Sequence, residues 1–290
     1  MPDRTDLSII IVTWNSEDEI ENCLESVFKN TGNLEYEVIV IDNNSSDKTA
    51  QTVQEIFGKE VRNTRLIINR ENKGYTAACN QGIAESTGNS ILFLNPDTVF
   101  CGNPAEILLK KLYEDKLNGA VAPQLLNEDK TIQKSCRTFP RYFDMFCEMS
   151  LLSYIFPGSI LLSNWKMNYF SHNEERAVEQ PMAAALMVKK EVLNETGFFD
   201  EDFYMFFNDV DLCKRITGKG YRIIFYPEAK IIHGKGVSIY KDRVRMIKAW
   251  NKDCLSYFRK HNYSFMLYNL LLISLTITGI FRILFYKLFR

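Results

Sequence analysis

Short runs of Val, Ile and Leu alternate with amphipathic stretches through the first 100 residues. Leu7 to Thr13, Tyr36 to Asp42, Arg65 to Ile68 and Ser90 to Asn95 read as strands. Glu17 to Lys29 carries Ile20, Leu24, Val27 and Phe28 at helical spacing. Asp47 to Phe57 and Tyr75 to Glu85 read as two more helices, the first with Ser45, Ser46 and Asp47 as N-cap candidates. Strand and helix in alternation predict a parallel sheet covered on both faces. Ligands of such sheets bind beyond the carboxyl ends of the strands. That singles out Thr13 to Asn15, Asp42 to Ser45, Asn69 to Gly74, and Asn95 to Asp97.

Beyond these strands the pattern loosens. Gln124 to Glu179 is irregular, with an aromatic, Met-containing helical stretch from Tyr142 to Phe156, and reads as cover over the sheet. Periodicity returns at Met182 to Lys189 and in a helix from Asp209 to Thr217. Tyr221 to Tyr226 and Ala229 to His233 read as two short strands. The 290 residues suit one large α/β domain with an appendage, or two domains. Lys plus Arg is 35 and Asp plus Glu is 36, so the chain lacks the basic surplus of a nucleic-acid binder. The seven cysteines include no CxxC pair, which points to reduced thiols in the cytosol rather than disulfides or a zinc cluster. The first apolar run, Leu7 to Val12, is too short for a signal peptide, so the catalytic part is expected in the cytoplasm.

The C-terminus has a different character. Lys241 to Asn262 holds seven Lys or Arg against two Asp. Lys241, Arg245, Lys248 and Lys252 share one helical face, and Val244, Ile247, Cys254 and Phe258 another. Tyr263 to Phe281 then runs nineteen residues without a charge, closed by Arg282. As a helix this covers about 28 Å, close to the thickness of a hydrocarbon core. A basic stripe before it suits anionic lipid. A span, a re-entrant hairpin and an in-plane helix all fit, as does a buried core or dimer helix.

Several polar residues stand where chemistry is expected. Asp42 ends a strand, where a carboxylate can accept hydrogen bonds from a base or sugar hydroxyl. Asn95-Pro-Asp97 follows the fourth strand; it makes a turn, or it presents Asp97 to a divalent cation that bridges phosphates. His233 ends the last strand and gains meaning only beside Asp97, since imidazole plus carboxylate suits Mn²⁺ or Mg²⁺. Asp200, Glu201, Asp202, Asp209 and Asp211 lie among aromatics and Met, where a carboxylate gains proton affinity and can serve as a base. The same residues also suit a helix start, with Asn208 as N-cap and Asp209 and Asp211 favourable to the dipole. Trp14 suits either a buried position or packing on a base or sugar.

Val12-Thr-Trp-Asn-Ser16, Ile41-Asp-Asn-Asn-Ser45 with Asp47, Asn72-Lys-Gly74 with Asn80 and Gly82, and Leu94-Asn-Pro-Asp-Thr98 occur in this order. Gly197-Phe-Phe-Asp-Glu-Asp202, Asn208-Asp-Val-Asp-Leu-Cys213 and His233 follow. Over about Ser8 to Ser238 this combination resembles glycosyltransferase family 2, in its rhamnosyltransferase-like branch. The resemblance implies a GT-A-type α/β fold: a mostly parallel sheet flanked by helices, with a Rossmann-like nucleotide-binding half and an acceptor half. To this the sequence adds a C-terminal hydrophobic helical segment. The nucleotide-sugar site so implied comprises Thr13, Asn15, Asp42, Asn44, Asn72, Gly74, Asp97 and Arg215. Asp97 and His233 match metal-ligand positions for Mg²⁺ or Mn²⁺. Asp209 matches the general base of the family's Glu-Asp motif, whose Glu is replaced here by Asn208, with one charge fewer beside the base. Arg215, Lys235 and Arg137 are candidates for diphosphate contact or for surface ion pairs.

The expected reaction is inverting transfer of a sugar from a nucleotide-diphosphate sugar, with dTDP-rhamnose the preferred donor and UDP-hexose or UDP-N-acetylhexosamine the alternatives. The expected acceptor is a lipid-linked glycan at the cytoplasmic face of the bacterial inner membrane. Residues 1–240 would form the catalytic domain, 241–262 a basic amphipathic helix and 263–290 a membrane-associated tail. A sugar-phosphate nucleotidyltransferase would need a Gly-rich basic loop after the first strand, and Trp14 to Glu19 is acidic without Gly. No GxGxxG follows a strand, against a dinucleotide oxidoreductase. The non-enzymatic alternative is an inactive nucleotide- or glycan-binding membrane scaffold.

Overall fold

The computed structural model describes residues 5–60, 63–234 and 243–288. Lys235, Ser238 and Lys241, which figure in the sequence reading, lie outside them. The first half runs β1 (Leu7–Thr13), α1 (Ile20–Asn30), β2 (Tyr36–Asp42), α2 (Thr49–Phe57), β3 (Asn63–Ile68), α3 (Tyr75–Glu85), β4 (Ser90–Leu94), β5 (Thr98–Cys101), α4 (Pro104–Glu114) and β6 (Asn118–Leu126). Then come β7 (Ile132–Gln133), β8 (Cys136–Arg137), α5 (Tyr142–Met149), α6 (Leu152–Ile155), β9 (Arg176–Val178), β10 (Gln180–Pro181) and β11 (Ala185–Lys189). The chain closes with α7 (Lys190–Thr196), α8 (Asn208–Gly218), β12 (Arg222–His233), α9 (Arg243–His261) and α10 (Phe265–Leu288).

The main sheet has the order β3-β2-β1-β4-β11-β6-β12-β5. β1, β2, β3 and β4 are mutually parallel, and β11 enters antiparallel between β4 and β6. β1, β2 and β4 are buried along their whole length, so neither face reaches water. One face packs α1, α2 and α4 through Leu24, Val27, Val53 and Leu108. The other packs α3, α7 and α8 through Ile83, Val192, Leu212 and Ile216. This is the two-sided burial that all-apolar strands require.

Details differ from the sequence expectation for local reasons. α1 and α2 begin at Ile20 and Thr49, later than expected, because the preceding residues tie the two loops together. Glu17 N donates to Asp47 and Lys48 N to Glu17, so neither segment is free to start its helix earlier. The N-cap of α2 is Lys48, while Ser45 turns back to Asp42. The two short strands expected after Tyr221 are one strand, β12, with a register shift between Tyr226 and Lys230. Pro227 lies in that interval and has no N–H to give the ladder. The stretch expected as one helix from Tyr142 divides into α5 and α6 at Leu151, whose φ is 63°. Asn208 is the first residue of α8 rather than its cap, which is Phe207.

A third apolar cluster joins α9 to the region before α8. Tyr257, Phe258 and Cys254 of α9 pack with Met145, Phe203 and Phe207. Tyr257 and Phe258 are wholly buried, which stabilises this contact by about 2 kcal/mol or more per ring. From α10 the cluster takes Tyr268, Leu271 and Leu275. α10 runs antiparallel along α9: Arg259 donates to the Tyr268 hydroxyl at 2.9 Å, Asn251 donates to the Leu275 carbonyl at 2.9 Å, and Arg243 covers the Tyr286 ring.

Candidate active site

β1 is flanked by β2 on one side and β4 on the other, so the chain order reverses there. The strand-end loops part at such a point and leave a crevice. A cleft of about 330 Å³ opens there, lined in part by Thr13, Trp14, Asn72, Asp97, Asp209 and His233.

One wall is built from the ends of β1, β2 and β3. Thr13 and Asp42 are register partners, and the Thr13 hydroxyl donates to Asp42 Oδ1 at 3.0 Å. Asp42 also accepts the Ser45 hydroxyl and the Ser45 N–H. Its carboxylate is buried behind Thr13, outside the set of cleft-lining residues. Asn43, itself buried, lines the cleft in its place and donates to Asn72 Oδ1 and the Gly74 carbonyl, both at 3.0 Å. Asn15 and Asn44 have φ of 52° and 66°, a left-handed turn that Asn tolerates, and lie beside the cleft rather than in its wall. Asn15 Oδ1 accepts the Ser46 N–H at 2.7 Å. Gly74 has φ +101°, and a Cβ there would meet the Tyr204 ring and carbonyl at 2.8 Å. Only glycine lets the Tyr204 loop lie on this turn.

Asp97 and His233 meet at the cleft floor, with His233 Nε2 3.5 Å from Asp97 Oδ1. β5 pairs with the end of β12, which sets His233 opposite Thr98. The other ring nitrogen, Nδ1, is 2.7 Å from Gln133 Oε1. A carbonyl oxygen there calls for N–H on Nδ1, which leaves the Nε2 lone pair facing Asp97. Burial pushes Asp97 up to about 6 and His233 down to about 4. Both shifts disfavour charge, the condition that a bound dication reverses. The described residues hold no cluster of three or more metal-ligating side chains. One carboxylate and one imidazole therefore fit a cation whose remaining positions go to phosphate oxygens and water.

Asp209, which also lines the cleft, occupies the first turn of α8. Gln180 Nε2 donates to Asp209 Oδ2 at 2.9 Å, and the Val210 N–H reaches Oδ1 at 2.8 Å. Burial nevertheless raises its proton affinity above that of an ordinary carboxylate. Phe207, just before the helix, has φ 58°, a conformation costly for an aromatic residue. Trp165, Trp250 and Tyr257 surround its ring and hold it there. Asn208 also lines the cleft and donates to the Met205 carbonyl at 2.7 Å. The loop itself is held by Asp253 of α9, which accepts the N–H groups of Tyr204, Met205 and Phe206.

Thr13, Asn72, Gly74, Asp97, Asp209 and His233 are thus brought to one cleft. Arg215 is not: its guanidinium binds Asp211 and the carbonyls of Thr196, Gly197 and Phe198. Arg137 lies over Trp165 and donates to the Cys136 and Lys166 carbonyls, outside the cleft wall. Arg245, expected on a lipid-facing stripe, instead lines the cleft over Trp14 and Tyr204. Sequence reasoning missed Gln133, Gln180 and Tyr204, because each acts through a partner about 30 to 130 residues away.

A mixed α/β sheet with a cleft at its switch point, lined by an acid-histidine pair and a partly buried acid, defines a nucleotide-sugar glycosyltransferase with a GT-A-like fold. The chain belongs to Glycosyl transferase family 2, whose profile matches residues 8–165. It is 25% identical over 258 residues to N-acetylglucosaminyl-diphospho-decaprenol L-rhamnosyltransferase of Mycobacterium tuberculosis, covering 85% of this chain and 82% of that one. It is 26% identical over 237 residues to low-salt glycan biosynthesis hexosyltransferase Agl10 of Haloferax volcanii, covering 80% and 68%. Among solved structures it is similar to mannosyltransferase PcManGT from Pyrobaculum calidifontis in complex with GDP-Man and Mn²⁺, with TM-score 0.61, 17% identity and coverage of 96% and 74%. It is also similar to GalNAc-T7 with UDP, GalNAc and Mn²⁺, with TM-score 0.61, 15% identity and 81% of this chain on 44% of that one.

Proposed function

We propose that the protein transfers a sugar, with inversion, from a nucleotide-diphosphate sugar to a hydroxyl of a lipid-linked glycan. The observation that carries this reading is that Asp209 and the Asp97–His233 pair line the same cleft. The acceptor oxygen attacks the anomeric carbon as the bond to the diphosphate oxygen breaks. Asp209 takes the hydroxyl proton, and the nucleoside diphosphate leaves with the bonding electron pair. Attack opposite the leaving group inverts the anomeric centre. Gln180 holds the base in place, and its N–H favours the ionised form. Asn43, Asn72 and Thr13 offer polar contacts to the nucleoside, with Asp42 fixing Thr13 from behind. Asn15 and Asn44 shape the turns beside it. Asp97 and His233 would hold Mg²⁺ or Mn²⁺, which supplies positive charge to the departing diphosphate.

The Mycobacterium tuberculosis relative supports rhamnose as the donor sugar and an acceptor carried on a diphospho-polyprenol. A lipid acceptor places the enzyme at a bilayer. α10 is long and apolar enough to cross or lie on one, its most apolar 18-residue window having mean hydropathy 1.8. We assign the cytoplasmic face of the bacterial inner membrane, where nucleotide sugars are available.

The deciding experiment is binding of dTDP-rhamnose, UDP-glucose, UDP-galactose, UDP-N-acetylglucosamine and GDP-mannose to the purified protein, with and without Mn²⁺ or Mg²⁺. Metal-dependent preference for dTDP-rhamnose is expected. Preference for a UDP sugar would reassign the donor, and no binding by folded protein would return the reading to a scaffold.

A further inference from the structure

A second groove, of about 540 Å³, lies between α9 and the C-terminal half of α10. Its walls are apolar and aromatic, with Ile247 and Trp250 facing Phe281 and Phe285. Two guanidiniums sit on them: Arg282 over the Trp250 ring and Arg243 over the Tyr286 ring, 4.4 Å from its centroid. Among the described residues, no carboxylate lines the groove and none pairs with Arg282. Phe206 and Met246 line both this groove and the candidate active-site cleft, so the two are neighbours that share a wall. Phe281 and Phe285 remain 68% and 63% exposed, so the groove opens on the outer face of α10.

Apolar walls carrying two guanidiniums suit an amphiphile with a doubly anionic head. A diphosphate gives each guanidinium an oxygen pair to grip. An isoprenoid tail finds aromatic walls at one end and exits along α10. The sugar beyond the diphosphate is then directed past Phe206 and Met246 toward Asp209. We propose that this groove binds the isoprenoid diphosphate of the lipid-linked acceptor, Arg243 and Arg282 gripping the diphosphate. The assignment rests on the acceptor class given under the proposed function and adds the site that selects it.

The test uses the full chain in detergent micelles, with geranylgeranyl diphosphate as the probe and Trp250 fluorescence as one signal. Saturable binding is expected, and R243Q/R282Q weakens it by about tenfold or more, as loss of charge-assisted contacts should. Geranylgeraniol and inorganic pyrophosphate, each with half of the chemistry, bind at least about tenfold more weakly on the same grounds. Equal binding by the double variant, or by geranylgeraniol, overturns the proposal. So does equal competition by phosphatidylglycerol, which would assign the groove to bulk lipid headgroups. Nucleotide-sugar binding is read in the same samples and is unchanged in the double variant. Its absence in the unmodified chain would fail the transferase reading, while the geranylgeranyl diphosphate curve still decides the groove.

Discussion

Asp253, buried on α9, accepts the backbone N–H of Phe206 at 2.9 Å, in the loop that leads into α8. The same carboxylate takes the N–H of Met205 at 3.0 Å and of Tyr204 at 3.3 Å. Three successive amides of a cleft-lining loop are thus satisfied by one residue of a helix about fifty positions further along the chain.

Asp253→Ala strands three part-buried donors at once. Stability is expected to fall by about 2–4 kcal/mol, in the range for losing hydrogen bonds to a buried charged group. Turnover should fall further than the melting temperature explains, because Phe207 and Asp209 follow directly on the freed loop. Asp253→Asn keeps one acceptor oxygen and should recover part of both. Urea unfolding beside kcat measures this, and an alanine variant with unaltered kcat would break the link between α9 and the site.

Asp209 is raised above an ordinary carboxylate by burial and is pulled back by its hydrogen bonds, including that from Gln180. A base works only when ionised, so activity should fall as pH drops through its pKa. Gln180→Leu removes an N–H that favours the anion. The acid limb of the pH–rate profile should therefore move to higher pH, with nucleotide binding retained. Asp209→Asn should lower kcat by about 10²- to 10⁴-fold at every pH. An acid limb that stays in place in Gln180→Leu would remove Asp209 from the role of base.

The nucleotide half was legible in the sequence because its signals are local. Apolar runs such as Leu7 to Thr13 are buried on both faces, and their boundaries fall where hydrophobicity stops. Asp97 and His233 were legible as a possible pair, since Asp97 follows one apolar strand and His233 ends another. What the sequence did not display is pairing at a distance. Nothing near Gln180 marks it as the partner of Asp209, and the basic spacing of α9 does not reveal that Arg245 turns toward Trp14. Arg215 failed as a diphosphate contact for the same reason. Its charge is visible in the sequence, whereas the three carbonyls that engage it at the end of α7 are not.

Asp211, two residues beyond Asp209, should govern acid stability. Burial alone would raise its pKa, but hydrogen bonds from His261 and Lys260 and the charge of Arg215 outweigh it and bring the carboxyl down to about 2. The folded pKa lies below the unfolded value, so the stabilisation is present above about pH 4 and is lost as pH falls toward 2. Its size is about 2 kcal/mol. In Asp211→Asn this acid-labile part should be missing, leaving a shallower loss of unfolding free energy between pH 4 and pH 2. An unchanged slope in urea titrations across that range would exclude Asp211 as its source.

α10 turns one stripe to the protein and the other outward. Tyr268, Leu271 and Leu275 are buried against α9 and α5, while Ile273, Ile277 and Ile280 are half or more exposed. Tyr154, Ile155, Ile160 and Leu161, on α6 and just after it, add further exposed apolar surface. A helix fixed along its length to a polar domain suits insertion of its outer stripe into one leaflet better than a span, and bilayer contact of this kind accords with a lipid-borne acceptor. I273E/I277E/I280E leaves the inner stripe intact and should keep the melting temperature. Each change removes about 1 kcal/mol or more of apolar transfer, so binding to anionic vesicles should weaken by about 100-fold or more. Alkaline carbonate should extract the unmodified protein, as it does in-plane helices and not spans. Vesicle sedimentation of the triple variant at the unmodified level would exclude this face as the membrane contact, and resistance to carbonate would favour a span.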